Sequence, residues 1–151
     1  MGNEMTKYKH MLLAVDLHPN CDTELLSHGL ALAKEYGSKV TLIHAVEHLN
    51  AYGVAQAYPS VLEVEDQLID EAKKQLEGIK KQFNIATANA VVEVGSPKMI
   101  VLDYAKENNV DLIVLGSHGR HGLQILLGST ANAVLHNAEC DVLAVRIKHQ
   151  K

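Results

Sequence analysis

Cysteine is scarce. Only Cys21 and Cys140 occur in 151 residues, far apart and in no C-x-x-C or zinc-ligand spacing, so no disulfide framework is expected and both read as plain thiols. Positive charge is short as well: 14 lysines and arginines face 18 acids, a formal net charge of −4. No nucleic-acid partner is expected, because such affinity comes mainly from cations neutralising phosphates. No apolar run is long enough to span a bilayer, and the opening MGNEMTKYKH has no signal-peptide pattern, so no membrane partner and a cytoplasmic location are expected. Met1-Gly2-Asn3 resembles a lipidation signal, but Lys7 follows Thr6 and no other membrane cue supports it. Neither G-x4-G-K-[ST] nor G-x-S-x-G occurs, and Ser117 beside His118 has no ordered base and acid to follow. No catalytic residue is assigned.

What remains is the composition of an ordinary folded protein, 47% hydrophobic and 21% charged, read as one domain over residues 1–151. Lys9 to Val15 is a short apolar run ending at Asp16 and the turn residues Leu17 to Asn20, which predicts a first strand. A helix follows from about Asp22 to Tyr36, with Leu25, Leu26, Gly29, Leu30 and Ala33 at helical spacing and Gly37 as its C-cap. Lys39 to Val46 is a second strand, and Glu47 to Pro59 a long loop. Ser60 with Glu63 reads as a capping box opening a helix to about Phe83, with Leu62, Ile69, Ala72, Leu76 and Ile79 inward. Ala88 to Val94 is a weaker strand. Ser96 and Pro97 then open a helix to about Glu107 as N-cap and first-turn proline.

Asp111 to Leu115 has the nearly continuous hydrophobicity of a strand buried on both faces, ended by Gly116. A helix from about Leu126 to Asn137 and a last strand, Val142 to Ile147, complete the chain. This alternation predicts a Rossmann-like, doubly wound α/β domain, a five-stranded parallel sheet with helices on both faces, for which 3-2-1-4-5 is a common strand order. Such sheets bind ligands beyond the carboxyl ends of their strands, where the winding reverses. In that order Asp16 and the Gly116 loop meet in one crevice between strands 1 and 4. Gly116, Gly119 and Gly128 are positions where backbone amides can approach a ligand with no Cβ in the way, and phosphate is the natural candidate.

The segments YKHMLLAVDL (Tyr8 to Leu17), KVTLIHAVE (Lys39 to Glu47), VDLIVLGSHGRHG (Val110 to Gly122) and CDVLAVRI (Cys140 to Ile147) resemble the universal stress proteins over nearly the whole length. The resemblance implies the same adenine-nucleotide-hydrolase-like fold, a cytoplasmic homodimer and a role in survival under stress. Members that bind ATP carry Gly-x2-Gly-x9-Gly followed by Ser or Thr, whereas A-type members do not bind it. Here Gly116 and Gly119 supply the first half, but eight residues, Arg120 to Leu127, precede Gly128, Ser129 and Thr130. The glycines resemble the binders and the shorter spacing the non-binders. Carried over by position, Ala14, Val15 and Asp16 would lie near adenine and ribose, with Ala45 and Leu115 bordering adenine. Gly116, Gly119, Gly128, Ser129 and Thr130, with Arg120 in reach, would hold the phosphates of ATP or AMP; by its own chemistry Asp16 could hold a ribose hydroxyl or magnesium.

Each signal has a plainer alternative. Ser129 and Thr130 are also ordinary N-caps, and Asp16 is equally able to cap the Pro19 to Asp22 turn. His118 and His121 have metal spacing but no third ligand, so no metal other than magnesium is assigned. His44 and His48 share no helical face and are not a zinc pair; His44 reads as a hydrogen-bonded core residue. Slow phosphate hydrolysis or self-phosphorylation on Ser129 or Thr130 is the most that catalysis could amount to. The last strand lies at the sheet edge in this order, and an apolar edge invites pairing with a second copy through Val142, Leu143, Ala144, Val145 and Ile147.

Overall fold

The computed structural model describes residues 7–48, 60–117 and 127–147. Five strands alternate with four helices: β1 (His10–Ala14), α1 (Pro19–Tyr36), β2 (Lys39–Val46), α2 (Ser60–Gln82), β3 (Asn89–Val94), α3 (Pro97–Glu107), β4 (Leu112–Gly116), α4 (Ser129–Asn137) and β5 (Asp141–Val145). The sheet order is β3-β2-β1-β4-β5 and every pairing is parallel, as the alternation predicts.

Alternation along β1 divides the core. Met11, Leu13 and Val15 face one side with Leu25, Leu26 and Ala33 of α1 and Leu76 of α2, while Leu12 faces the other with Val101 and Ala105 of α3 and Ala131 and Val134 of α4. Two helices therefore cover each face. Helix α1 lies so close to the sheet that a Cβ on Gly29 would stand 2.9 Å from Leu13 Cδ2. At its end Gly37 takes the left-handed conformation (φ 64°), and its amide and that of Ser38 return to Lys34 and Ala33 carbonyls.

Several boundaries depart from the sequence reading, each for a local reason. Asp111 is not in β4. It sits just before the strand, where its carboxylate accepts the amides of Lys9 and His10 at 2.8 and 2.9 Å and so ties the start of β1 to the start of β4. Helix α4 starts at Ser129 rather than Leu126, because Gly128 takes the extended N-cap conformation. Strand β5 starts at Asp141 and ends at Val145. Ser60 is the first helical residue of α2, and the residue before it lies outside the described range. Leu62 is exposed, not inward: the 23 residues of α2 reach about 35 Å, against about 20 Å for the strand β3 that it covers. The residues that α2 buries are Glu65, Ala72 and Leu76. The Glu47 to Pro59 loop lies outside the described residues from 49 onward.

At the opposite end of the sheet, buried His10 joins β1, β2 and α3. Its Nδ1 donates to the Asn108 carbonyl at 3.2 Å, so Nε2 is left to accept from Thr41 Oγ1 at 2.8 Å. Burial pushes the His10 pKa below its usual 6.5, an effect the Asn108 hydrogen bond opposes.

Candidate functional site

A crevice opens at the carboxyl ends of β1 and β4, where the winding reverses, and it encloses about 830 Å³ including its open mouth. Its floor is apolar: Ala14 and Val15 from β1 and its end, Ile43 and Ala45 from β2, and Leu115 from β4. One wall is the start of α4, formed by Gly128, Ser129, Thr130 and Ala131, with Gly116 beside it. The opposite wall carries Asp16 and Asp22. A flat apolar ring suits the floor, and a group that accepts hydrogen bonds suits the α4 wall.

The α4 wall is built by local chain chemistry. Gly128 is the N-cap, and no side chain caps it. Ser129 and Thr130 are therefore the first two helical residues and not the caps that their residue types suggested. The amides of Ser129, Thr130 and Ala131 precede the first intrahelical bond, from the Asn132 amide to the Gly128 carbonyl at 2.9 Å. They line the crevice at the positive end of the helix dipole, an arrangement suited to an anion. The Gly128 amide itself donates to the Ser117 carbonyl at 2.7 Å, and the Ser117 amide to Val145 at 2.7 Å. The two ends of the glycine-rich segment are thus fastened to each other and to β5.

The acidic wall is organised by a residue that the sequence reading passed over. Asp22, buried in the first turns of α1, accepts the Asp16 amide on Oδ1 at 2.9 Å and the His18 amide on Oδ2 at 3.1 Å. Asp22 thus grips this turn from the helix side through the amides of Asp16 and His18. Burial pushes the Asp22 carboxyl above its usual pKa, and the Asp16 charge adds to the rise, while the amides of Asp16, Leu17 and His18 hold it down. Between the two clamped amides Leu17 takes φ 60°, a left-handed conformation that raises the energy of a non-glycine residue by about 1–2 kcal/mol. The sequence signal was an aspartate in the first turn after a helix-starting proline, a position from which a carboxylate can reach back to preceding amides.

His44 lines the crevice with Nδ1 against the Val15 carbonyl at 2.8 Å. A carbonyl only accepts, so Nδ1 carries the proton. The hydrogen bond expected for it is present, but His44 is half-buried in the crevice lining and not in the core. His48 instead pairs with buried Glu65 at 2.8 Å and takes no part in the crevice. Among the described residues no cluster of three or more His, Cys, Asp or Glu forms a metal cage.

Of the residues predicted from sequence, Ala14, Val15, Asp16, Ala45, Leu115, Gly116, Gly128, Ser129 and Thr130 all line this one crevice. Gly119 and Arg120, with His118 and His121, lie outside the described residues. The ionisable groups among the described lining residues are Asp16, Asp22 and His44.

The sequence pattern described as "Universal stress protein family" matches residues 7–146. The curated "Universal stress protein A homolog 2" of Coxiella burnetii is 51% identical over 144 residues, covering 95% of this chain and 99% of the relative. Among solved structures, universal stress protein UspA from Lactobacillus plantarum superposes with a TM-score of 0.80 at 26% identity, over 93% of this chain and 99% of that one. Protein MJ0577 of Methanocaldococcus jannaschii does so with a TM-score of 0.80 at 28% identity, over 95% and 99%.

Proposed function

This chain belongs to the universal stress protein family, and from that premise we propose that its crevice holds an adenine nucleotide, ATP or AMP, as a regulatory ligand in a cytoplasmic, homodimeric stress-response protein. The observation that carries the reading is the pairing of an apolar floor with the uncapped α4 amides across one cleft. Adenine would lie on Ala14, Val15, Ala45 and Leu115. Ser129, Thr130 and the amides beside them would take phosphate oxygens, with Gly116 and Gly128 giving close access and Gly119 and Arg120 adding to the phosphate side. Asp16 would hold a ribose hydroxyl or magnesium; the ion would add positive charge to a described lining that carries no lysine or arginine. We read the ligand as a signal and not as a substrate. The dimer contact is assigned to the outer edge of β5, which among the described residues pairs with β4 alone and leaves Val142, Leu143 and Ala144 half-buried. Val145 and Ile147 are already buried within the chain and support that edge from beneath.

Mass spectrometry of freshly purified protein, with calorimetric titration of ATP and magnesium into wild type, Gly119→Val and Gly128→Val, tests the reading. Gly128 has φ −63°, which valine also adopts, so the substitution crowds the cleft without straining the backbone. Bound adenine nucleotide, with affinity lowered at least about tenfold by either valine, is the expected result; one such tenfold step corresponds to about 1.4 kcal/mol. Absence of both nucleotide and heat would favour the second reading, an A-type protein acting only through protein contacts. The eight residues between Gly119 and Gly128 are the feature that favours it.

A further inference from the structure

We propose that Asp22 is a positioning residue of the crevice: its carboxylate holds the β1–α1 turn in the shape that presents Asp16 to the ligand. The ligand part of this inference rests on the nucleotide reading above, whereas the part concerning the turn does not.

Three observations carry it. First, the two carboxylate oxygens accept the amides that flank Leu17, Asp16 at 2.9 Å and His18 at 3.1 Å, and the Leu17 amide between them also favours the charged carboxylate. An ordinary cap would bond the free amides inside the first turn of its helix. Asp22 instead reaches outward, to amides that precede the helix. Second, Leu17 lies between those amides at φ 60°. A branched side chain stays there only where its surroundings over-determine the backbone, and the two clamped neighbours do so. Third, the turn is fixed from its other side. The Val15 amide donates to the Ile43 carbonyl at 2.9 Å, and the Val15 carbonyl accepts from His44 Nδ1 at 2.8 Å. Asp16 is therefore the junction between a residue anchored to β2 and a residue strained in place by α1. The Asp22 amide also donates to the His18 carbonyl at 3.0 Å, which fixes the carboxylate relative to the turn that it grips. Removing the carboxylate frees Leu17 to relax toward ordinary backbone, and the relaxation swings Asp16.

The experiment compares wild type, Asp22→Ala, Asp16→Ala and the double variant by residue-resolved amide hydrogen exchange without nucleotide, then by calorimetric titration of ATP with magnesium. In Asp22→Ala the amides of Asp16 and His18 should lose protection while the rest of α1 from Leu25 onward keeps it. Affinity for ATP should fall about tenfold, the scale of one lost hydrogen bond. In the Asp16→Ala background the same change should have no further effect, because Asp22 acts through Asp16; a merely structural residue would lower affinity additively. Should Asp22→Ala fail to fold, Asp22→Asn retains one carbonyl acceptor and should lose protection at one of the two amides. Unchanged exchange at both amides, or a fully additive loss of affinity, overturns the proposal. A wild type that gives no heat with ATP overturns the nucleotide reading instead, and the exchange arm still decides the role of Asp22 in the turn.

Discussion

Replacing Gly29 by alanine is expected to destabilise the protein even though alanine is the better helix former. In the exposed interior of a helix the exchange gains roughly 1 kcal/mol. Here the new methyl would stand 2.9 Å from Leu13 Cδ2 and 3.1 Å from Leu13 Cγ. Leu13 is fully buried in the central strand β1, between its neighbours β2 and β4, and cannot swing into solvent. Overpacking of this kind raises the energy by about 1–3 kcal/mol. The difference leaves about 1 kcal/mol of net destabilisation, or about 2–4 °C in Tm for a chain of this size. Valine, which lacks alanine's helical advantage and adds more bulk, should exceed about 2 kcal/mol. Urea unfolding followed by circular dichroism measures both. The mechanism is tested by a cycle with Leu13→Ala: alone it should lose about 2–5 kcal/mol, but combined with Gly29→Ala the total should fall short of the sum, because the alanine methyl enters the vacated space. Gly29→Ala at or above wild-type stability, or strict additivity, would refute the close approach of α1 to β1.

The buried His10 should make stability fall as the solution is acidified through the region below 6.5. There the unfolded chain takes up a proton at the ordinary value while the folded one, with its pKa lowered, resists; above 6.5 neither form binds it and the contribution vanishes. Asp22 acts oppositely, because its raised folded pKa makes the native state bind the proton first as pH falls toward 3.8. Urea titrations at about pH 7.5 and 5.5 should show a smaller acid loss in His10→Gln, and an equal loss would sink the assignment. Asp111→Ala removes the shared acceptor of the Lys9 and His10 amides and, discounted for the exposed side of that pair, should lower stability by about 2 kcal/mol; a thermal midpoint within about 1 °C of wild type would argue against the tie. Ala144→Lys places a charge on the outer edge of β5, and sedimentation should then shift toward monomer, whereas an unchanged dimer would move the interface elsewhere.

The fold was legible because its signals are periodic. Strands β1 and β4 are apolar runs, the helices have stripes, and the alternation of types fixes a parallel sheet. From that order alone Asp16 and Gly128 become neighbours, and the described lining of the crevice contains both. What escaped reading was side-chain traffic over long separations. Asp111 looked like the start of a strand because it adjoins Leu112, yet its partners are 102 and 101 residues away. Asp22 looked like the start of a helix that in fact begins at Pro19, and only the path of the turn shows its carboxylate reaching back past the helix start. Leu62 looked inward by period, and the length mismatch between α2 and the sheet exposed it.

The hydrogen bond from the Gly128 amide to the Ser117 carbonyl bears on how this fold can vary. Once the two feet of a segment are stitched together, its length becomes nearly free of consequence for what stands beyond the feet. Closure entropy grows only logarithmically, so one residue more or less in a segment of about ten changes it by about 0.1 kcal/mol. Insertions and deletions between Ser117 and Gly128 can accumulate while Gly116, Ser129 and Thr130 keep their stations. Spacing within this stretch is therefore an evolutionary dial on what the segment itself touches, set apart from the fixed masonry on either side.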